Sequence, residues 1–531
     1  MRVVTDRPAA GRPARAAARP VMVLTGAGGS LAPLAVAATA ASTVLIGASL
    51  VLSRRTPMWL DEAQTMSIAR QPLGQVLTAL RGDGSPPLYY LLLHLWTGVF
   101  GDGDTAGRSL SAVLAVATVP VGVLAAARLY GRRAAVAAAL LLVSLPFLHR
   151  YATEARMYSL VMLLSAAGIL AVHQALERPG RWPLAAVAAL TAALALTHYW
   201  ALFLLAVVTT VVLACGLRHP AGDPGRAAAF RVVGAMAAGG VVFLPWAPTF
   251  LYQLRHTGAP WGQVAGLWIF ESSLRSLAGD RGGLGLLGLA YPMLALLGLC
   301  AQPLPGGAIE IDPAGRPQAR PMAAVVAGTL TLALVASRVT GSAFAPRYAA
   351  VVMVPFVLLA ARGLAAVEHP RAVRIIAVAL VSVGLFRSFE AADAPRTQAR
   401  QVAAALDRRV QPGDAVVVCP DQLGPGLARE LGPIAATTVV FPPGSSLERV
   451  DWVDYTERVH NSDPRAFARA IDLRAASSTI WMVTSPGYHG LEHSCERIFG
   501  TLHQLRPDPV RVVGAHAAYE HAQLYRFDPQ R

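Results

Sequence analysis

Two adjacent carboxylates, Asp61 and Glu62 in Trp59-Leu60-Asp61-Glu62-Ala63-Gln64, are the residues of this 531-residue chain best suited to moving a proton. They follow the first long apolar segment of a sequence that is 54% hydrophobic and only 15% charged. A positioned carboxylate can act as general base on an acceptor hydroxyl. On a helix, neighbouring side chains diverge by about 100°. One of the pair, Asp61, is therefore expected to face a substrate, with Glu62 orienting a partner or shaping the field. A carboxylate at a membrane edge can also simply be solvated, so the chemical reading requires other polar residues on the same side of the membrane.

Several candidates could gather there. Gly82-Asp83-Gly84-Ser85-Pro86-Pro87-Leu88-Tyr89-Tyr90 joins a flexible turn to a fixed double proline and two tyrosines able to rim a groove. Glu154, Arg156 and Tyr158 stand at the end of an apolar segment, where ionisable groups need partners, and Glu154 with Arg156 is expected to pair or to line a cavity. Arg347, in Phe344-Ala345-Pro346-Arg347-Tyr348, offers a guanidinium fork suited to a phosphate at head-group depth. His198, beside Tyr199 and Trp200, suits a polar substrate or a metal. Two patterns are discounted. Asp102-Gly103-Asp104 reads as a turn, and Gly282-Gly283 lacks the strand-turn-helix setting of a phosphate loop.

The elements that must position these residues are membrane helices. The composition is that of an integral membrane protein. Apolar runs give about eleven spans: Leu34 to Leu52, Leu110 to Ala127, Ala134 to Leu148, Met157 to Leu176, Leu184 to Leu196, Ala201 to Leu217, Val232 to Phe250, Leu284 to Cys300, Ala323 to Ala336, Ala349 to Ala361 and Ile375 to Phe386. Leu88 to Phe100 is short, aromatic and preceded by two prolines, and is expected to lie along the interface. With it left out, the arginines of alternate loops, among them Arg128, Arg132, Arg178, Arg181, Arg218, Arg226, Arg371 and Arg374, fall inside. The net charge of +15 is thus explained by the inner leaflet rather than by nucleic acid. The candidates then share the outer face. Residues 1–33 form a cytoplasmic arginine-rich arm, 34–389 the membrane domain and 390–531 a small extracytoplasmic α/β domain. In that tail, Thr397 to Arg409 and Pro425 to Leu431 read as helices, and Ala415 to Cys419, Thr437 to Phe441 and Thr479 to Val483 as strands. Cys419 and Cys495 can form a disulfide in an oxidising compartment.

The order of the acidic pair, Pro86-Pro87-Leu88-Tyr89-Tyr90, Glu154-Ala155-Arg156-Met157-Tyr158 and Phe344-Ala345-Pro346-Arg347-Tyr348 resembles the GT-C superfamily of polyprenyl-phosphate-sugar-dependent glycosyltransferases, in particular the protein O-mannosyltransferase-like branch, glycosyltransferase family 39. The resemblance covers roughly Leu34 to Arg387. It implies a polytopic GT-C-type helical fold with interfacial helices in the first outer loop and a multi-pass place in the cell membrane. The active site would lie outside, with Asp61 as base. It also implies a polyprenyl-phosphate sugar donor, with mannose the guessed sugar, and a protein or cell-envelope glycan acceptor. Many relatives carry histidine where this chain has Ser85, so no role passes to that position. In this reading Arg347 and Arg156 hold the departing phosphate and Tyr89 and Tyr90 line the groove; no cofactor is assigned, and a divalent metal is possible, with too few candidate ligands identified to place one. The rival is a transporter or flippase of lipid-linked saccharides, which would show midplane charges and repeated halves.

Overall fold

The structure, a computed structural model, describes residues 30–258, 266–280, 285–304, 308–341, 344–475, 477–488, 490–491 and 493–529. The N-terminal arginines Arg2 to Arg19 and the Gly282-Gly283 pair lie outside the described residues. Among the described residues eight helices are long and apolar enough to cross a membrane, and the bent pair Arg132–Val143 and Pro146–Ala152, taken as one span, makes a ninth. The shorter apolar helices Arg181–Ala195 and Leu286–Cys300 fall on the two remaining expected segments. The protein is a multi-pass membrane protein.

Leu88–Phe100 is a helix with the expected bounds, and its length and surroundings suit a place along the interface. At about 1.5 Å per residue its 13 residues reach roughly 20 Å, short of a hydrocarbon core of about 30 Å. Both of its ends are also held by neighbouring segments. The Leu88 amide donates to the Leu196 carbonyl at 2.9 Å, beside His198. Just past its other end, Asp104 pairs with Arg429 of the C-terminal domain at 2.6 Å. Its apolar Leu95, Val99 and Phe100 are left exposed, as suits a helix lying on a bilayer surface.

The span Pro346–Ala366 is the centre of the bundle, with 89% of its apolar window buried against 22% for Ala32–Ser53. Arg347 at its head therefore points into protein, not lipid. The span packs closest on Leu286–Cys300, where Gly298 and Gly363 oppose each other and an added Cβ on either would meet the facing helix backbone; small residues let membrane helices approach in this way. At the end of the bundle away from Asp61, Arg133 pairs with Glu368 at 3.1 Å, which ties two of the arginine-bearing loops together.

The C-terminal domain is a five-stranded sheet. We number its strands β1 (Ala415–Cys419), β2 (Thr437–Val440), β3 (Ile480–Thr484), β4 (Val510–Val513) and β5 (Gln523–Phe527); their spatial order is β2-β1-β3-β5-β4. The first three are parallel, and β5 joins β3 and β4 antiparallel. β1 and β3 are wholly buried runs, which is why they were legible as strands. Cys419 and Cys495 form a disulfide. The domain does not hang free. Trp59 and Leu60 are part of its apolar core together with Phe441, Trp452 and Tyr455, so the carboxylate pair sits at the seam between the two domains.

Candidate active site

Leu60–Ala69 is a short helix whose first turn carries Asp61 and Glu62, a placement the helix dipole favours. The divergence of the two side chains is realised. Glu62 is fully buried and accepts hydrogen bonds from Arg108 Nε at 2.7 Å and Nη2 at 2.9 Å, Arg396 Nη1 at 3.0 Å and the Ala155 amide at 3.1 Å. Burial alone would raise its pKa, but the charges of Arg108 and Arg396 outweigh this and hold it below the usual carboxylate range. The two arginines also donate to Ser53, Thr56, Pro57 and Thr153. Glu62 thus fastens the end of the first span, the stretch before Tyr158 and the root of the C-terminal domain to one point.

Asp61 faces the other way and is partly accessible. Its Oδ2 lies 3.5 Å from Arg347 Nη2 and 3.8 Å from Arg156 Nη2. These contacts are too long for hydrogen bonds of full strength, and Oδ2 has no hydrogen-bond partner. The same holds for Arg156 Nε, Arg347 Nε, Tyr158 Oη and Trp59 Nε1, all buried. Unsatisfied buried polar atoms are rare in folded proteins. Their concentration around one carboxylate is what a ligand site looks like before its ligand arrives.

Arg156 is held by Thr65 Oγ1 at 2.9 Å and Tyr90 Oη at 3.3 Å, and Tyr90 in turn donates to Asp83 at 2.6 Å. Arg347 stacks over Trp59 and Tyr348, 5.7 and 5.6 Å from the ring centroids. Tyr158, His198 and Tyr348 form an aromatic row, with His198 5.8 and 5.5 Å from its neighbours. Burial, reinforced by the charges of Arg156 and Arg347, pushes the His198 pKa down to about 3, so it is a neutral imidazole and its Nδ1 accepts from the Trp200 amide.

The structure brings Asp61, Tyr90, Arg156, Tyr158, His198 and Arg347 together. Three expectations are corrected. Tyr89 does not line a groove with Tyr90: it is buried and its hydroxyl meets Ser111 at 2.8 Å, because consecutive positions of a helix face different sides. Glu154 does not pair with Arg156. Its ion partners are Arg150 at 3.3 Å and Arg396 at 3.9 Å, since Arg156 is drawn to Asp61. Glu62 lies behind the site rather than in it. Among the described residues no group of three or more His, Cys, Asp or Glu could hold a metal ion.

Sequence reasoning missed Arg108, Arg396 and the contribution of the tail. Arg108 had a signal, a charge one turn inside the long apolar helix Asp104–Tyr130. Tyr519 and Glu520 had none. Tyr519 packs edge-on to Trp59 at 5.1 Å, and Glu520 Oε1 accepts from the Leu60 amide at 3.3 Å. Burial raises the Glu520 carboxyl to about 8, against hydrogen bonds from the Thr397 hydroxyl and the Leu60 amide, and the charge of Asp61 adds to the rise. A raised acid favours the native state while protonated. Its contribution is complete below the ordinary value of 4.5 and is lost as pH climbs from there to about 8. Glu520→Gln should therefore abolish a decline in stability on the order of a few kcal/mol between those pH values. Thermal melts across that range check this, and parallel profiles for the two proteins would mean that Glu520 is already ionised in the native state.

Residues 84–245 match the family model described as dolichyl-phosphate-mannose-protein mannosyltransferase. No curated protein matches the chain. The crystal structure of ArnT from Cupriavidus metallidurans in the apo state is similar with a TM-score of 0.59 at 14% identity, over 93% of this chain and 98% of that one. The structure of the same protein bound to undecaprenyl phosphate gives a TM-score of 0.53 at 14% identity, with the same coverage of 93% and 98%. Arabinofuranosyltransferase AftD from Mycobacteria scores 0.47 at 18% identity, over 95% of this chain and 42% of that one. The chain therefore has the GT-C fold that it shares with ArnT, and its residues 84–245 match the pattern of the dolichyl-phosphate-mannose-protein mannosyltransferase family.

Proposed function

We propose that the protein is a membrane glycosyltransferase that moves a sugar from a polyprenyl-phosphate carrier to a hydroxyl of an extracytoplasmic acceptor, with inversion at the anomeric carbon. The observation that carries this reading is Asp61 set between Arg156 and Arg347 with the facing polar atoms unpartnered. Two guanidiniums suit a phosphate, and a phosphate entering beside them would draw them off the carboxylate. Asp61 then takes the acceptor proton as the acceptor oxygen bonds to the anomeric carbon. The bond from that carbon to the phosphate oxygen breaks, and its electron pair leaves with the phosphate, whose charge the arginines stabilise.

Three features support the donor and the orientation. An apolar groove of about 250 Å³ begins at Leu194 and Leu204, close to His198, and runs to His173 and Cys215; it suits a prenyl chain. One of the similar structures holds undecaprenyl phosphate. The disulfide fits an oxidising compartment, as the loop arginines fit a cytoplasmic opposite face. Mannose is the sugar suggested by the family description.

The test supplies purified protein in lipid nanodiscs with polyprenyl-phosphate mannose or polyprenyl-phosphate arabinose and follows release of polyprenyl phosphate and the anomeric configuration of the product. We expect inversion, and a loss in kcat/KM of roughly 10²–10³-fold for Arg347→Ala and for Arg156→Ala, in line with removal of a transition-state donor. Absence of turnover with either donor, alongside movement of the intact lipid-linked sugar between leaflets, would favour the transporter reading.

A further inference from the structure

A second polar site lies outside the group around Asp61. Between the first outer loop and the C-terminal domain is a cavity of about 340 Å³, with Arg81 and Asp83 on one wall, Tyr252 at its side, and Ser445, Arg449 and Asp451 on the other. Its size falls in the range of small-molecule sites, roughly 300–1,000 Å³, which suits a sugar-sized unit and not a folded domain.

The charges in this cavity are unevenly spent. Asp83 is committed to Gln64 at 2.7 Å and to Tyr90 at 2.6 Å. Asp451 accepts from the Val453 amide at 3.0 Å, and the Ser445 hydroxyl donates to Asp421 at 2.9 Å. The two arginines, by contrast, have neither an ion pair nor a hydrogen bond among the described residues. Arg81 is nevertheless held in place. Its guanidinium lies 3.9 Å over the Tyr252 ring, Tyr252 stacks on His256 at 4.5 Å, and His256 meets Asp454 at 3.0 Å. Such a fork loses little freedom when it binds an anion.

The walls are rigidly tied and lead to the site. Gln64 exchanges two hydrogen bonds with the backbone of Val450, at 3.1 and 2.9 Å, and the Trp452 amide donates to the Gly82 carbonyl at 3.0 Å. From the cavity wall, Asp83 reaches Tyr90, Tyr90 reaches Arg156, and Arg156 reaches Asp61.

We propose that this cavity is an acceptor subsite and that it takes an acidic sugar unit, whose carboxylate or phosphate group is held between Arg81 and Arg449. Two cationic forks without an ion partner on one open cleft, Arg81 exposed and Arg449 half-buried, select an anion over a neutral glycan. The part of the statement that names an acceptor rests on the transferase reading above. The anion site itself does not.

The experiment is calorimetric titration of the full-length protein in nanodiscs with glucuronate, glucose 6-phosphate and glucose. At least one of the two acids should bind the wild type, and its affinity should fall roughly tenfold or more in Arg449→Ala and further in the double variant with Arg81→Ala, as expected for hydrogen bonds to a charged group. Glucose should show no such dependence. Because Asp61→Asn leaves the cavity walls intact, it should bind the acid as the wild type does. Which acid binds tells a carboxylate from a phosphate. Failure of both acids to bind, or equal affinity in wild type and a double variant that melts normally, overturns the proposal. Undecaprenyl phosphate displacing the acid competitively would also overturn it, by making the arginines part of the donor site. Acid binding in a protein that transfers no sugar would support the anion site and sink the transferase reading alone.

Discussion

Asp61→Asn should lower sugar transfer by roughly 10²–10⁴-fold, the usual contribution of a general base, while the protein still folds and inserts. The amide keeps the shape of the carboxylate and removes only its ability to take a proton. Asp61 is also the one member of the acidic pair with accessible surface and an oxygen that no other group occupies. The loss should appear in kcat. Binding of the lipid phosphate should hold or tighten, because Arg156 and Arg347 no longer have an anion to satisfy. A variant that transfers sugar at the parental rate would remove Asp61 from the chemistry.

Glu62→Ala should produce the largest loss of stability of any single change at this seam, about 3–5 kcal/mol, the cost of breaking a buried ion pair from one side. Glu62 is fully buried, and the substitution strands Arg108 and leaves Arg396, each about 1% exposed, with only the longer contact to Glu154 at 3.9 Å. The damage should spread along the partners they also hold. The C-terminal domain is rooted through Arg396 and the stretch before Tyr158 through the Ala155 amide. Protease protection of the tail should therefore fall together with the melting temperature in detergent. If Glu62→Ala melted like Asp61→Asn, the two neighbours would not have the separate roles their geometry gives them.

The membrane half was legible because its signals are physical and long. Apolar runs mark helices whatever they pack against, and the double proline with a short aromatic run marked Leu88–Phe100 down to its ends. In the tail β1, β2 and β3 read as strands, β1 and β3 as wholly buried runs and β2 although it is only partly buried, whereas β4 and β5, at the edge and beside it, alternate too little to separate from loop. Within the site, Asp61, Arg156 and Arg347 could be named because each is an unusual charge next to an apolar segment. Their partners could not all be named in the same way. That Glu154 turns to Arg150 and Arg396 while Arg156 turns to Asp61 is decided by packing between segments far apart in the chain. Glu520 belongs to the site only because a domain roughly 460 positions later folds back on Leu60, and nothing local to Tyr519-Glu520 encodes that.

The most direct test of the central claim is a density map of the protein with undecaprenyl phosphate. The phosphate should lie between Arg156 and Arg347, opposite Asp61, with both guanidiniums drawn onto it and the prenyl chain leaving towards Leu194 and Leu204. A phosphate held anywhere else, with the two arginines still closed on Asp61, would contradict it.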